Sequence, residues 1–218
     1  SAVPMSCLRD IFAKLKHAEV ILTFYIDSLI SYLNEKNLAD FELSTGMRSS
    51  VRAADLDEIK QSPRWRVQLQ SSLYQSLTSQ CSAQFYTPFF IRPERGHGDF
   101  WLLHLSQHWK ARDVMATTHW QHHNHFAHYG KAGFHMFSTG YIGKIDDENL
   151  LQMGFDFSEV AATVSKETMM AQIPAMLFEG ADGMTFEQFF LGLINTLPST
   201  PTINSVRVSS IGEAFRVN

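Results

Sequence analysis

The stretch Val20-Ile21-Leu22-Thr23-Phe24 decides how the rest of the chain is read. It runs apolar without alternation, the pattern of a strand covered on both faces, and Asp27 follows where such a strand ends. Ahead of it, Cys7, Leu8, Ile11, Phe12 and Leu15 form one face of a short amphipathic helix. Ser6 is the expected cap of that helix, and Lys14, Lys16 and His17 suit its C-terminal end. A helix leading into a fully buried strand predicts an α/β protein built on a parallel sheet.

Downstream, residues 28–33 read as the start of a helix and residues 34–61 as loop with short helical turns around an isolated Gly46. Ser62-Pro63 then gives a cap and first-turn pair for a helix in which Trp65, Leu69, Leu73 and Leu77 recur every four residues. Residues 85–91 and 100–105, rich in aromatic and aliphatic side chains, flank the turn-forming segment 92–99 and predict an antiparallel hairpin. Trp109, Val114, Met115, Ala116 and Trp120 keep helical spacing from about residue 108 to 128, until Gly130 and Gly133 interrupt it. Past Gly143 the composition changes. A helix begins near Ser158 or Ser165 and runs to Glu179 with Pro174 inside it. Thr185-Phe186-Glu187-Gln188 has the form of a capping box for the next helix, and Ser199 or Thr200 with Pro201 opens a third. The last two resemble a helix-turn-helix. The boundary between the two parts is drawn near Tyr141, giving segments 1–140 and 141–218.

With 218 residues and 44% hydrophobic content the chain is long enough to bury a sizeable core. Its two cysteines, Cys7 and Cys81, support neither a disulfide framework nor a cysteine zinc site. No long uninterrupted apolar run and no secretory leader are present, so the expected setting is cytoplasmic and away from membranes. A net charge of −4 gives no footprint for a phosphate backbone.

Three blocks carry a family resemblance: Ser1-Ala2-Val3-Pro4-Met5 through Glu19 to Asp27, the run 102–120, and Gly183-Met184-Thr185-Phe186-Glu187-Gln188-Phe189-Phe190. Together they resemble the latter part of three-Cys-motif partner (TcmP) proteins. The resemblance implies the end of a class I methyltransferase-like Rossmann domain followed by a winged-helix-like region. It makes 20–24 an inner strand, the pair 85–91 and 100–105 the terminal hairpin of the sheet, and a three-Cys-motif protein the partner. The Gly-rich loop and ribose-binding acid that would hold S-adenosylmethionine are not found, so the cofactor half is expected to lie outside this chain, which alone should be inert.

Nine of the ten histidines fall between His97 and His135. His104 and His108 stand four apart, and His119, His122 and His123, then His125 and His128, repeat helical spacing. A His-ligated metal hydrolase using Zn or Ni at His104, His108, His119 and His122 is therefore one alternative function. Against it, no HExxH form occurs and His104 falls in the expected strand; on the plainer reading the histidines are surface residues and His108 makes a structural hydrogen bond where strand meets helix. Asp27 is the candidate catalytic residue, since ligands of open α/β sheets gather beyond the carboxyl ends of strands; its plainer role is to cap the helix near Ser28. The other alternative is a nucleic-acid-binding module presenting Asn204, Arg207 and Ser210 from the last helix. Residues 158–218 carry three basic and six acidic side chains, which favours a protein contact there over DNA. Arg48, Arg52, Lys60, Arg64 and Arg66 form a modest basic run, and Trp101, Trp109 and Trp120 are expected in packing roles.

Overall fold

The computed structural model describes residues 3–25, 30–62, 65–91, 100–122, 133–134, 159–179 and 185–196. The first helix, α1 (Met5–Lys14), starts two residues earlier than the Ser6 cap would put it: Pro4 holds the cap position without a side-chain hydrogen bond. Its inward face is Met5, Leu8 and Phe12, while Cys7 and Leu15 are exposed. Strand β1 (Glu19–Tyr25) follows.

The segment expected to be loop holds a helix of eleven residues, α2 (Glu35–Thr45). Asn34 caps it, accepting the Asn37 N–H at 2.9 Å. Gly46 stops it, with φ at 65° and its N–H donated to the Glu42 carbonyl. Only Leu38 and Thr45 are buried, so the apolar period was too sparse to announce the helix, although both end signals were there to be read. A Cβ at Gly46 would meet nothing within 4 Å, so Gly46→Ala carries only the cost of the left-handed backbone. We expect a loss of about 1 kcal/mol in a urea titration, with an unchanged denaturant slope.

A 3₁₀ turn (Ala53–Asp55) and a short helix α3 (Leu56–Lys60) lead to α4 (Trp65–Gln80). The four-residue repeat of α4 works as expected: Leu69, Leu73 and Leu77 are buried and Trp65 packs beside them. Each buried leucine contributes about 1.5–3 kcal/mol of transfer free energy. Strands β2 (Phe85–Ile91) and β3 (Phe100–Ser106) pair as the anticipated hairpin, with Phe85 opposite Ser106 and Thr87 opposite His104.

Among the described residues the sheet has three strands in the order β1-β3-β2, and β3 is antiparallel to both neighbours. The expected parallel sheet is corrected here: β1 and β2 do run the same way, but the returning arm of the hairpin lies between them. Two-sided burial belongs to β3, where Trp101, Leu103 and Leu105 face one side and His104 and Ser106 the other, all buried. In β1 the apolar run alternates after all. Val20, Leu22 and Phe24 join the core with α1 and α4, while Ile21 is 52% exposed. The reason is reach: α5 (Trp109–Gln121) covers the second face over β2 and β3.

Helices α6 (Glu159–Glu179) and α7 (Phe186–Leu193) form a second apolar cluster from Met169, Ile173, Phe189, Phe190 and Ile194, together with Phe134. Pro174 sits inside α6. The capping box is made as the sequence implies, the Gln188 N–H donating to the Thr185 hydroxyl and the Thr185 N–H to Oε1 of Gln188. This cluster is fastened to the sheet. Phe85 and Trp109 pack into it, Trp109 meets Phe190 edge-on at 5.7 Å, and the Asn195 side chain accepts the Tyr86 N–H at 3.0 Å while donating to the Gln84 carbonyl at 3.1 Å. The 140/141 boundary, the third helix and any wing fall outside the described residues.

Candidate functional site

The chemistry-bearing side chains of the described residues converge on α5 and the sheet beneath it. β3 ends at Ser106, and two residues later His108 takes an extended conformation and caps α5: its Nδ1 accepts the Lys110 N–H at 3.1 Å. That is the structural hydrogen bond expected at the junction. An accepting Nδ1 is unprotonated, so the neutral ring carries its proton on Nε2.

On the buried side of α5, Arg112, Ala116 and His119 follow at helical spacing, and Asp113 is buried next to them. Arg112 is wholly buried, and burial lowers its pKa to about 10, opposed by Tyr74, Asp113 and Tyr86. It therefore stays charged at neutral pH. Tyr74 meets Tyr86 edge-on at 5.6 Å, and burial holds the Tyr74 phenol well above its usual pKa, so it is neutral. Asp113 balances the guanidinium and also lies 3.8 Å from the Lys110 ammonium.

The His119 ring lies 4.3 Å from that of Phe89. Burial, and then the positive charge of Arg112, bring its pKa down to about 4, so this imidazole is neutral. His104 in β3 is 1% exposed and places Nε2 3.1 Å from Oε2 of Glu19 across the β1–β3 pair. Burial lowers its pKa too, with Glu19 pulling the other way. Nδ1 of His104 and the hydroxyl of Thr87, directly opposite it in β2, are buried polar atoms with no hydrogen-bond partner among the described residues. Such pairs of atoms lie in the interior at a cost of about 1–3 kcal/mol each.

Above this interior, a cleft of about 420 Å³ opens between the α1–β1 turn and the first turns of α5. His17, Glu19, His108, Lys110 and Thr118 supply its polar lining, and Ala18, Ala111, Val114 and Met115 its apolar one.

The four histidines proposed as ligands are divided by this geometry. His104 and His119 are buried in the interior, while His108 and His122 are exposed at the two ends of α5. The His104–His108 helical pair does not form, because β3 holds the first and the cap holds the second. Among the described residues no group of three or more His, Cys, Asp or Glu side chains is placed to hold a metal ion. Asp27, Asn204, Arg207, Ser210, His123, His125 and His128 lie outside the described residues. In the basic run, Arg52 is engaged with Asp55 through two hydrogen bonds and Lys60 donates to the Leu33 carbonyl; Arg64 and the Arg66 side chain lie outside the described residues. Sequence reasoning missed Arg112 and Asp113, since buried charges are rare, though Arg112 shares its helical phase with Ala116. No described helix is long and apolar enough to cross a membrane. Comparison of the chain with protein-family models, curated proteins and solved structures finds no match.

Proposed function

We propose that this chain is the C-terminal part of a methyltransferase-like protein of the three-Cys-motif partner type, which acts with a protein partner and depends on a cofactor-binding half outside these residues. The observation that carries the reading is the strand order. A hairpin arm lies antiparallel between two strands that share one direction, and the resemblance makes this hairpin the terminal one of a larger sheet. The second edge of β1 has no neighbour among the described residues. An open edge presents backbone N–H and C=O groups to which a further strand adds favourably.

The reading places S-adenosylmethionine on the other half. Calorimetric titration of this chain alone is expected to show no saturable binding at micromolar cofactor, whereas the protein as its native source makes it should exceed 24.8 kDa and bind. Saturable binding to this chain by itself, or a native mass of 24.8 kDa, would overturn the proposal.

A further inference from the structure

The cleft between the α1–β1 turn and α5 lies at the amino end of β1. Ligands of open α/β sheets gather at the opposite, carboxyl end, so the cleft is separate from any cofactor position on this sheet. Its volume of about 420 Å³ falls within the range of small-molecule sites, about 300–1,000 Å³.

Its lining carries charges of both signs. Glu19 is held from behind by the buried His104, which engages one carboxylate oxygen at 3.1 Å and leaves the other for a further partner. Lys110 lines the same cleft. Its nearest carboxylate among the described residues, Asp113, is 3.8 Å away, beyond hydrogen-bond distance. The Lys110 ammonium carries three donors, and no carboxylate among the described residues takes them all at hydrogen-bond distance.

A simple anion in this cleft would be repelled by Glu19 and a simple cation by Lys110. A ligand bearing both charges is opposed by neither. Ala18, Ala111, Val114 and Met115 leave an apolar wall between the two poles. We propose that the cleft is a binding site for a small zwitterionic amino acid with an apolar side chain, its ammonium set against Glu19 and its carboxylate against Lys110. The proposal is independent of the methyltransferase-like reading.

Three probes test it by calorimetric titration of the full chain: L-leucine, L-leucinamide without the carboxylate, and 4-methylpentanoate without the ammonium. Leucine is expected to bind saturably and each analogue at least tenfold more weakly. Glu19→Gln keeps an acceptor for His104 and should erase the difference between leucine and 4-methylpentanoate. Lys110→Ala should erase the difference between leucine and leucinamide. Both side chains are mostly exposed, at 59% and 61%, so thermal melts are expected to match the parent chain. Absence of saturable binding up to about 10 mM leucine, equal binding of the three probes, or discrimination that survives both substitutions in well-folded protein would overturn the assignment.

Discussion

Arg112→Ala is expected to destabilise the chain by about 3–5 kcal/mol, as measured by urea unfolding at neutral pH. The side chain is wholly buried, remains charged, and faces the buried Asp113 as well as the Tyr74 and Tyr86 phenols. Removing it takes a positive charge away from the buried Asp113 carboxylate, which also lies 3.8 Å from the exposed Lys110 ammonium. Total stabilities are about 5–15 kcal/mol, so this single change takes a large share of what holds the fold. If the charge of Arg112 offsets that of Asp113, Asp113→Asn in the Arg112→Ala background should restore part of the loss. A cost under about 1 kcal/mol for Arg112→Ala would show that water or another group replaces the guanidinium at little expense.

Acidification from pH 7 to pH 4 is expected to remove on the order of 3 kcal/mol of stability through His119 alone. Its pKa is about 4 in the folded chain against an ordinary 6.5, so between these values the unfolded chain takes up a proton that the native one refuses. Stability therefore falls as pH drops through that window and levels off, for this group, below about pH 4. The groups facing His119 are Arg112, His104 and His122, all of which lower its pKa, with the Phe89 ring against it. His104, also lowered by burial, adds to the same slope. Urea midpoints collected across this range should be markedly flatter for His119→Leu than for the parent. Identical slopes in the two proteins would place the acid sensitivity elsewhere.

What could be read from the sequence was whatever left a local signature. The α4 repeat, the 85–91 and 100–105 hairpin and the Thr185–Gln188 box depend on spacing within a few residues, and each is found where it was expected. The errors arise where distant partners decide. Nothing local in 20–24 tells whether one face of the strand is covered; that depends on which strands α5 reaches. Helix α2 was passed over because its stripe is thin, with Asn34 and Gly46 as its only strong marks. The histidine cluster suggested a common chemistry, yet His104 and His119 are neutral interior groups and His108 is a cap. The cleft was invisible for the same reason. Glu19 and Lys110 are 91 residues apart in the chain and line one cleft because Glu19 pairs with Ser106, just ahead of the helix that carries Lys110.

The clasp made by Asn195 bears on how the sheet edge is kept from pairing with other chains. Successive residues of a strand turn their N–H groups to opposite edges, so if Tyr86 donates outward to Asn195, the nitrogen of Pro88 faces the same way. Proline there forfeits no bond to β3, and the outer edge of β2 is doubly guarded: an amide side chain occupies its first donor and the next position has none to offer. An unguarded edge is a template on which other chains stack into cross-β aggregates. Helix α7 and its following turn thus hold Asn195 where it denies β2 to neighbouring molecules, and loss of that docking would cost colloidal stability at high concentration as well as the local contacts.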